Sequence, residues 1–389
     1  MTESTVAYCD LTNSNEAGIA LGEQINKEMN GNSPDIVIVF ASSKYNYKEL
    51  LQSIKNSCKA KLIMGCSSAG EFVGGKKGEG AVSVLAIRSS SMHFNVCLGK
   101  DLRVDRTSAA KELTNSLVGK TKPSFKYRTI LLLADALAGH TDELIQQLTT
   151  LTAGTYQFFG GGAGDDAKFS STHVFFGTEA ITDAVVGLEI LSHSPLGIGV
   201  KHGWAPSSKI MRVTEADGMK LVSLNSIPAA EVFEEHAEAT GQKFDLANPM
   251  PFFLHNALGI QTEGGYKLRV PLSVQPDGSL MCASNIPVGA SVCIMKTTSN
   301  SSIEAAKIAV ESALEQLQGR KPKAALFFDC VASRLRMGGD FGLELATLEK
   351  SLGENTQIAG CNSYGQIARV EGQFSGFHNC TAVVCIIPD

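Results

Sequence analysis

Apolar positions along this chain switch period again and again, and the switches come in the same order. The continuous run Ile36-Val37-Ile38-Val39-Phe40 predicts a strand buried on both faces. Tyr47, Leu50, Leu51, Ile54 and Cys58 then recur at helical spacing. A Gly-rich turn follows in "IMGCSSAGEF" (63–72), and Ala81 to Ile87 closes the set as another strand. Near the other end, Ala324 to Phe328 predicts a strand and Phe341, Leu345, Leu348 and Leu352 a helix face. "IAGCNSYGQI" (358–367) and the run Ala382 to Ile387 complete that copy. A weaker copy lies between: Ile130 to Leu133, then Leu144, Ile145, Leu148 and Leu151, then "FFGGGAGDD" (158–166) and "AVVGLEIL" (184–191). A strand, helix, strand, Gly turn, strand unit is therefore expected three times.

Residues 196–300 break the repeat. "KIMRVTEADGMKLVSLN" (209–225) predicts two strands about an Asp217-Gly218 turn, and Pro228 to His236 a helix with Pro near its start. "PLSVQPDGSLMCASNIPVGASVCIM" (271–295) predicts a further hairpin series turning at Pro276-Asp277-Gly278. Ser301-x-x-Glu304 has the capping-box spacing and opens a helix with Ile303, Ala306, Val310, Leu314 and Leu317 on one face. The polar stretch 238–249 is the expected linker. The fold class expected is α/β, with two related domains, 1–240 and 241–389, built from repeated units and mixed sheets.

The Gly turns suggest chemistry that their context does not support. A nucleophile elbow needs Gly-x-Ser-x-Gly between a strand and a helix, but Ser67 and Gly70 are spaced otherwise. A phosphate loop also needs a helix after its glycines, whereas Phe72 to Gly78 is a second Gly-rich turn. "GGGAGDD" fails for the same reason. These glycines let the backbone turn where a Cβ would clash.

Composition narrows the function classes. A hydrophobic content of 43% and a net charge of -5 describe a globular chain without the basic face that nucleic acid requires. No uncharged apolar run reaches membrane-spanning length, and the amino terminus lacks the basic-then-apolar order of a signal peptide. Ten cysteines include no Cys-x-x-Cys, and Cys97, Cys293 and Cys385 sit in apolar runs as small hydrophobes. A cytoplasmic location with neither nucleic-acid nor membrane partners is expected.

Several segments resemble the FIST family (F-box and intracellular signal transduction). "GCSSAGEF", "FFGGGAGDD", "GVKHGWAP" (199–206) and "VTEADGMKLVSLNSIPAAEVF" resemble its amino-terminal domain. "PDGSLMCASNIPVGASV", "ALFFDCVASR", "GCNSYGQI" and "FHNCTAVV" resemble its carboxy-terminal domain. Gln366 departs from the family, which usually has Glu at that place. The resemblance implies a non-enzymatic sensory protein that holds a small ligand, amino acids being one proposed class, between two FIST domains. Because the FIST-like region fills the chain, output would pass to a separate partner such as a histidine kinase. Some free-standing bacterial members bind haem and sense nitric oxide, which makes haem an alternative. A cysteine-dependent hydrolase using Cys66 or Cys361 is a second alternative, although no His lies near either in sequence.

Candidate residues follow from this. Cys66, Ser67, Gly70, Gly161, Gly162, Cys361 and Tyr364 lie on turns that would line the cleft. Cys330 and Arg334 follow a strand end, where α/β folds place ligands, and Arg334 could pair with a ligand carboxylate. Asp135 ends the corresponding strand and could bind an amino group. Haem would need an axial ligand. His255, in the apolar Pro251-Phe252-Phe253-Leu254-His255-Asn256, and His202, beside Trp204, are the candidates. A structural hydrogen-bonding role competes at His202, a capping role at His140, and a turn-fixing role at His378-Asn379.

Overall fold

Each of the three repeats does build a sheet, and the computed structural model describes residues 2–370 and 376–389. The repeated unit is longer than the sequence pattern suggested. A further strand and helix precede each copy: Thr2–Cys9 and Ser14–Glu28, Met92–Lys100 and Arg106–Asn115, Gly197–Lys201 and Ser299–Gln316. The heart of each sheet is a parallel pair: Ile36–Ala41 with Leu62–Ser67, Tyr127–Ala134 with Gln157–Gly162, and Pro322–Cys330 with Gln357–Ser363. Antiparallel strands, Val82–Ser89, Ala184–Ser192 and Ala382–Pro388, lie beside these pairs, giving three mixed sheets.

After its Gly turn, each unit sends a short hairpin into a neighbour's sheet. The hairpin of the first unit, Glu71–Val73 with Lys76–Gly78, extends the third sheet through antiparallel backbone pairing with Gln357–Ser363. Val174–Phe176 and Glu179–Ile181 of the second unit extend the first sheet. Gln366–Arg369 and Gly376–His378 of the third extend the second. The exchange closes on itself, so no unit has a complete sheet alone.

The sheets face one another around a common core. Ile36, Ile38 and Phe40 from the first meet Leu131, Leu133 and Phe159 from the second and Leu326 and Phe328 from the third. Phe328 packs edge-on against Phe40 at 5.5 Å and Phe159 at 6.3 Å between ring centroids. The alternate positions Val37, Val39 and Ala41 point outward to the helices Ser14–Glu28 and Tyr47–Cys58. Strands covered on both faces explain the unbroken apolar runs in the sequence. The molecule is a three-sided prism of sheets with helices outside.

Between Gly197–Lys201 and Ser299–Gln316 the third unit carries an inserted antiparallel layer with its own core around Phe233, Phe252, Phe253 and Ile294. Strands Met211–Asp217 and Lys220–Leu224, before residue 240, share one sheet with Ala257–Thr262 and Ser291–Lys296 after it. The expected junction is thus the end of helix Ala229–Thr240 and a loop within this layer. The capping box of Ser299–Gln316 is also displaced from expectation: Thr298 and Ser301 cap each other, and Glu304 instead lies beside Lys307. Among the described residues, no helix is long and apolar enough to cross a membrane.

Candidate functional site

The three Gly turns meet at one end of the prism and bond to one another. The Ala69 amide donates to the Asn362 carbonyl at 2.9 Å, Gly164 to Ser67 at 2.9 Å, and Tyr364 to Gly162 at 3.0 Å. These are the same bond made three times in the aligned turns. One strand earlier, Gly65, Gly160 and Gly360 each lie against a neighbouring strand. A Cβ there would sit 1.9–2.0 Å from the carbonyl oxygens of Val39, Leu132 and Phe327. The shared glycines of the motif are therefore explained by backbone contact inside the protein, not by contact with a ligand.

That packing gives most of the expected site residues protein neighbours of their own. Cys66 and Cys361 are buried in the common core, and burial first, then Cys66, pushes the Cys361 thiol well up. Ser67 exchanges hydrogen bonds with the His173 backbone, at 2.9 Å from its amide and 3.3 Å to its carbonyl. Gly161 and Gly162 abut Ser363 and Tyr364, and a Cβ on Gly70 would meet the Asn362 side chain at 2.6 Å. Asp135 is buried and committed: it accepts from the Leu137 amide at 3.0 Å, the Asp183 amide at 2.6 Å and the Thr172 hydroxyl, and faces Arg103. Arg334 forms an ion pair with Glu79 in a separate cleft beside Phe72 and Phe341.

One apolar cavity lies between the prism end and the inserted layer, with a volume of about 120 Å³. Its floor is Cys330 to Ala332 and the Tyr364-Gly365 turn, with Ala136 to Thr141 on one side. The inserted layer covers it with Met250, Leu254, Val270, Leu272, Ala283 and Ser284. Of the expected ligand residues, Cys330 and Tyr364 belong to it. Tyr364 stacks on Phe169 at 4.4 Å and donates its hydroxyl to Asp165. The wall contains no Asp, Glu, Lys or Arg. Asn379 also lines it, and its buried side-chain oxygen has no hydrogen-bond partner.

The contributions of the inserted layer were hidden from sequence reasoning. They come from short strands and a single-turn helix, where no period singles out a face. The apolar run 251–254 did carry a signal, but the cavity takes Leu254 and leaves His255 exposed.

A clamp closes the cavity's edge. Asp142, at the start of helix Thr141–Leu151, binds Lys267 and Arg269 of the inserted layer, each at 2.6 Å. It also accepts from the Ser284 hydroxyl and the Phe377 amide. Burial would raise its pKa, but Arg269 and Lys267 outweigh that and hold it below the usual carboxylate range. His140 does not cap this helix with its side chain; Nδ1 sits 3.0 Å from Glu143 Oε1.

The residues present do not fit haem. His202 Nε2 lies 2.8 Å from the Tyr266 carbonyl, and Nδ1 accepts from the Trp204 amide at 3.2 Å, so both ring nitrogens are engaged. His255 stands outside the cavity. A cavity of this size compares with the ~150 Å³ one that holds benzene, far short of a porphyrin. The wider cleft of about 590 Å³ around Glu349 and Gln357 is lined by no His, Cys, Met or Tyr. Among the described residues, no group of three or more His, Cys, Asp or Glu could hold a metal ion.

The chain belongs to the FIST family. Residues 35–227 match the FIST N domain and residues 229–369 the FIST C domain, which are sensory domains of signal transduction. The cavity lies between them, with Ala136 to Phe169 from the first match and Met250 to Gly365 from the second. An uncharacterized protein of Methanocaldococcus jannaschii is 23% identical over 300 residues, 72% of this chain. The chain spans 57% of that relative's length. Among solved structures, a cyanuric acid hydrolase from A. caulinodans is similar at a TM-score of 0.31 and 7% identity, with 99% of both chains covered. A T. maritima PurL complexed with ADP gives 0.24 and 11%, covering 99% of this chain and 71% of that one. Likenesses this distant support no activity for this chain.

Proposed function

We propose that this protein is a non-enzymatic sensor that holds a small, uncharged, mainly apolar ligand between its FIST N and FIST C regions and regulates a separate signalling partner. The observation that carries this is the apolar cavity between the two matched regions, with its unpartnered Asn379 oxygen. A cavity without charged groups favours an uncharged ligand. A zwitterionic amino acid would enter with both charges unpaired, at a cost of several kcal/mol. The positions expected to meet those charges, Arg334 and Asp135, already have partners elsewhere. The hydrolase reading loses its nucleophiles, because Cys66 and Cys361 lie in the core. Haem and nitric oxide sensing would need room for a porphyrin, which a cavity of about 120 Å³ does not give, and neither His202 nor His255 faces that cavity with a free ring nitrogen.

A ligand here touches both the prism and the inserted layer, so its binding free energy can favour one arrangement of the two. A coupling of roughly 1–3 kcal/mol would change partner affinity about 5–150-fold. A histidine kinase or a similar signalling enzyme is the partner proposed, by family resemblance. The test is thermal melting with toluene, neopentyl alcohol and isobutyramide, beside an Ala283→Trp variant that fills the cavity. At least one should raise the Tm of the wild type and leave the variant unmoved. No shift with any, or equal shifts in both proteins, would refute the site.

A further inference from the structure

Because the three units repeat, a position at one junction between units has an equivalent at the next. The parallel strand pairs align Ala134 with Asp329, and five residues further on Gly139 with Arg334. The hairpin registers align Phe377 with Lys77 and, two residues on, Asn379 with Glu79. Gly139, Phe377 and Asn379 line the apolar cavity, where the second and third units meet. Arg334, Lys77 and Glu79 line a cleft of about 250 Å³ where the third meets the first. The same place in the repeat is uncharged at one junction and carries three charged groups at the other.

The charged cleft is not satisfied from within. Asn362 lines it and is 1% exposed, yet its Nδ2 has no hydrogen-bond partner among the described residues. Arg334 Nε is buried and unpartnered as well. Arg334 Nη1 meets Glu79 Oε1, but the Arg334 side chain is 11% exposed and that of Glu79 71%. Water screens such an exposed carboxylate, so the ion pair gains little, whereas buried donors without partners are costly. Gly70 keeps these donors close together: a Cβ there would lie 2.6 Å from Asn362 Oδ1 and 3.3 Å from Arg334 Nε. Phe72 and Phe341, with ring centroids 5.8 Å apart, supply an apolar wall, and Lys77 Nζ stands 5.7 Å from the Phe341 ring. Glu71 is already held by the Ser68 hydroxyl and the Ala81 amide, as its equivalent Gln366 is by Ser363 and the Thr381 amide.

We propose that this cleft binds a small monocarboxylate with a compact apolar body, and that Glu79 is a built-in carboxylate that the ligand displaces. The ligand's oxygens accept from the Arg334 guanidinium, the side chain best shaped to grip a planar carboxylate, and from the Asn362 amide. Free of the hairpin that tethers Glu79, the ligand carboxylate reaches the two donors that Glu79 leaves unpaired. Its body lies against Phe72 and Phe341, and Glu79 turns out to water. Because Glu79 must leave first, the apparent affinity is reduced by the fraction of molecules in which it is out. The cleft is larger than the ~150 Å³ cavity that holds benzene, so benzoate is a suitable probe. This site is separate from the apolar cavity and does not depend on it. Helix Val331–Met337 lies between the two, giving Leu335 to the cavity and Arg334 to the cleft.

The test is calorimetric titration of the full chain with sodium benzoate, beside benzamide as the uncharged match and sodium chloride as the ionic control. Benzoate should bind and chloride should not. Glu79→Ala, at an exposed position, should tighten benzoate by roughly tenfold or more, because the competing carboxylate is gone. Benzamide, which has the shape to enter the apolar cavity, should be unaffected by that change. Asn362→Ser, which places there the residue that the first unit has at Ser67, should weaken benzoate, and Arg334→Gln should abolish its binding. Ala283→Trp, which fills the apolar cavity, should leave benzoate binding as it is in the wild type. An affinity for benzoate unchanged by Glu79→Ala, or benzoate and benzamide tightened alike, would overturn the proposal. So would loss of benzoate binding in Ala283→Trp, which would place the carboxylate in the apolar cavity instead. The Glu79→Ala and benzamide comparisons decide the matter even if the Arg334 variant fails to fold.

Discussion

Gly65, Gly160 and Gly360 leave no room for a methyl group, because backbone rather than a movable side chain occupies the space. Replacing any of them by Ala should destabilise the protein by about 3 kcal/mol or more in urea unfolding. Gly74, with nothing near its Cβ position, should tolerate Ala within about 0.5 kcal/mol. Equal effects at all four sites would contradict the packing explanation. Glu71 gives a pH prediction at the same scale. Burial pushes its carboxyl up to about 8, and Gln366 shows that a neutral amide fits the equivalent frame. The unfolded chain releases this proton near pH 4.3 and the folded protein only near pH 8. This group's contribution to stability is therefore full at low pH and falls as pH rises between those values. Glu71→Gln should flatten that part of the stability–pH curve, as measured by urea unfolding from pH 4.5 to 8.5; a slope unchanged by the substitution would count against a neutral Glu71.

Among elements, the central strands and the helix between each parallel pair were legible because period and burial coincide there, whereas the strand and helix that precede the first two copies were not. Val37 and Val39 face helices while Ile36 and Ile38 face the common core, so the sequence reads as one apolar run. The exchanged hairpins were not legible. Glu71–Val73 pairs with Gln357–Ser363, far along the chain, and no local pattern encodes that partner. Of the residues the sequence singled out, the cavity takes Cys330 and Tyr364, since strand ends are recognisable but the covering layer has no diagnostic period. Asp142 joins that layer to the prism. Asp142→Ala would strand the buried Arg269 charge and should cost about 3–5 kcal/mol. The depressed Asp142 pKa places its stabilisation above the ordinary carboxylate range, to be lost as pH falls through its folded value. Hydrogen exchange should show the strand Gly265–Arg269 losing protection in this variant before the central strand Leu62–Ser67 does. Simultaneous loss in both would show that Asp142 supports the whole fold rather than the docking of the layer.

For the whole molecule, the closed exchange of hairpins joins the three units into one cooperative body. Calorimetry should give a single transition for the FIST N and FIST C regions, and residues 1–240 alone should fail to fold. Two separable transitions would mean that the exchanged strands contribute little. The cavity sits where this body meets its inserted layer, and its place between the two matched regions is the basis for assigning it the ligand. Hydrogen exchange of the wild-type protein with and without saturating neopentyl alcohol tests that assignment most directly. Added protection should be confined to the cavity segments at 136–141, 250–254, 270–284, 330–335, 364–365 and 377–379 and to Phe169. Protection elsewhere, or none at any segment despite a rise in Tm, would contradict it.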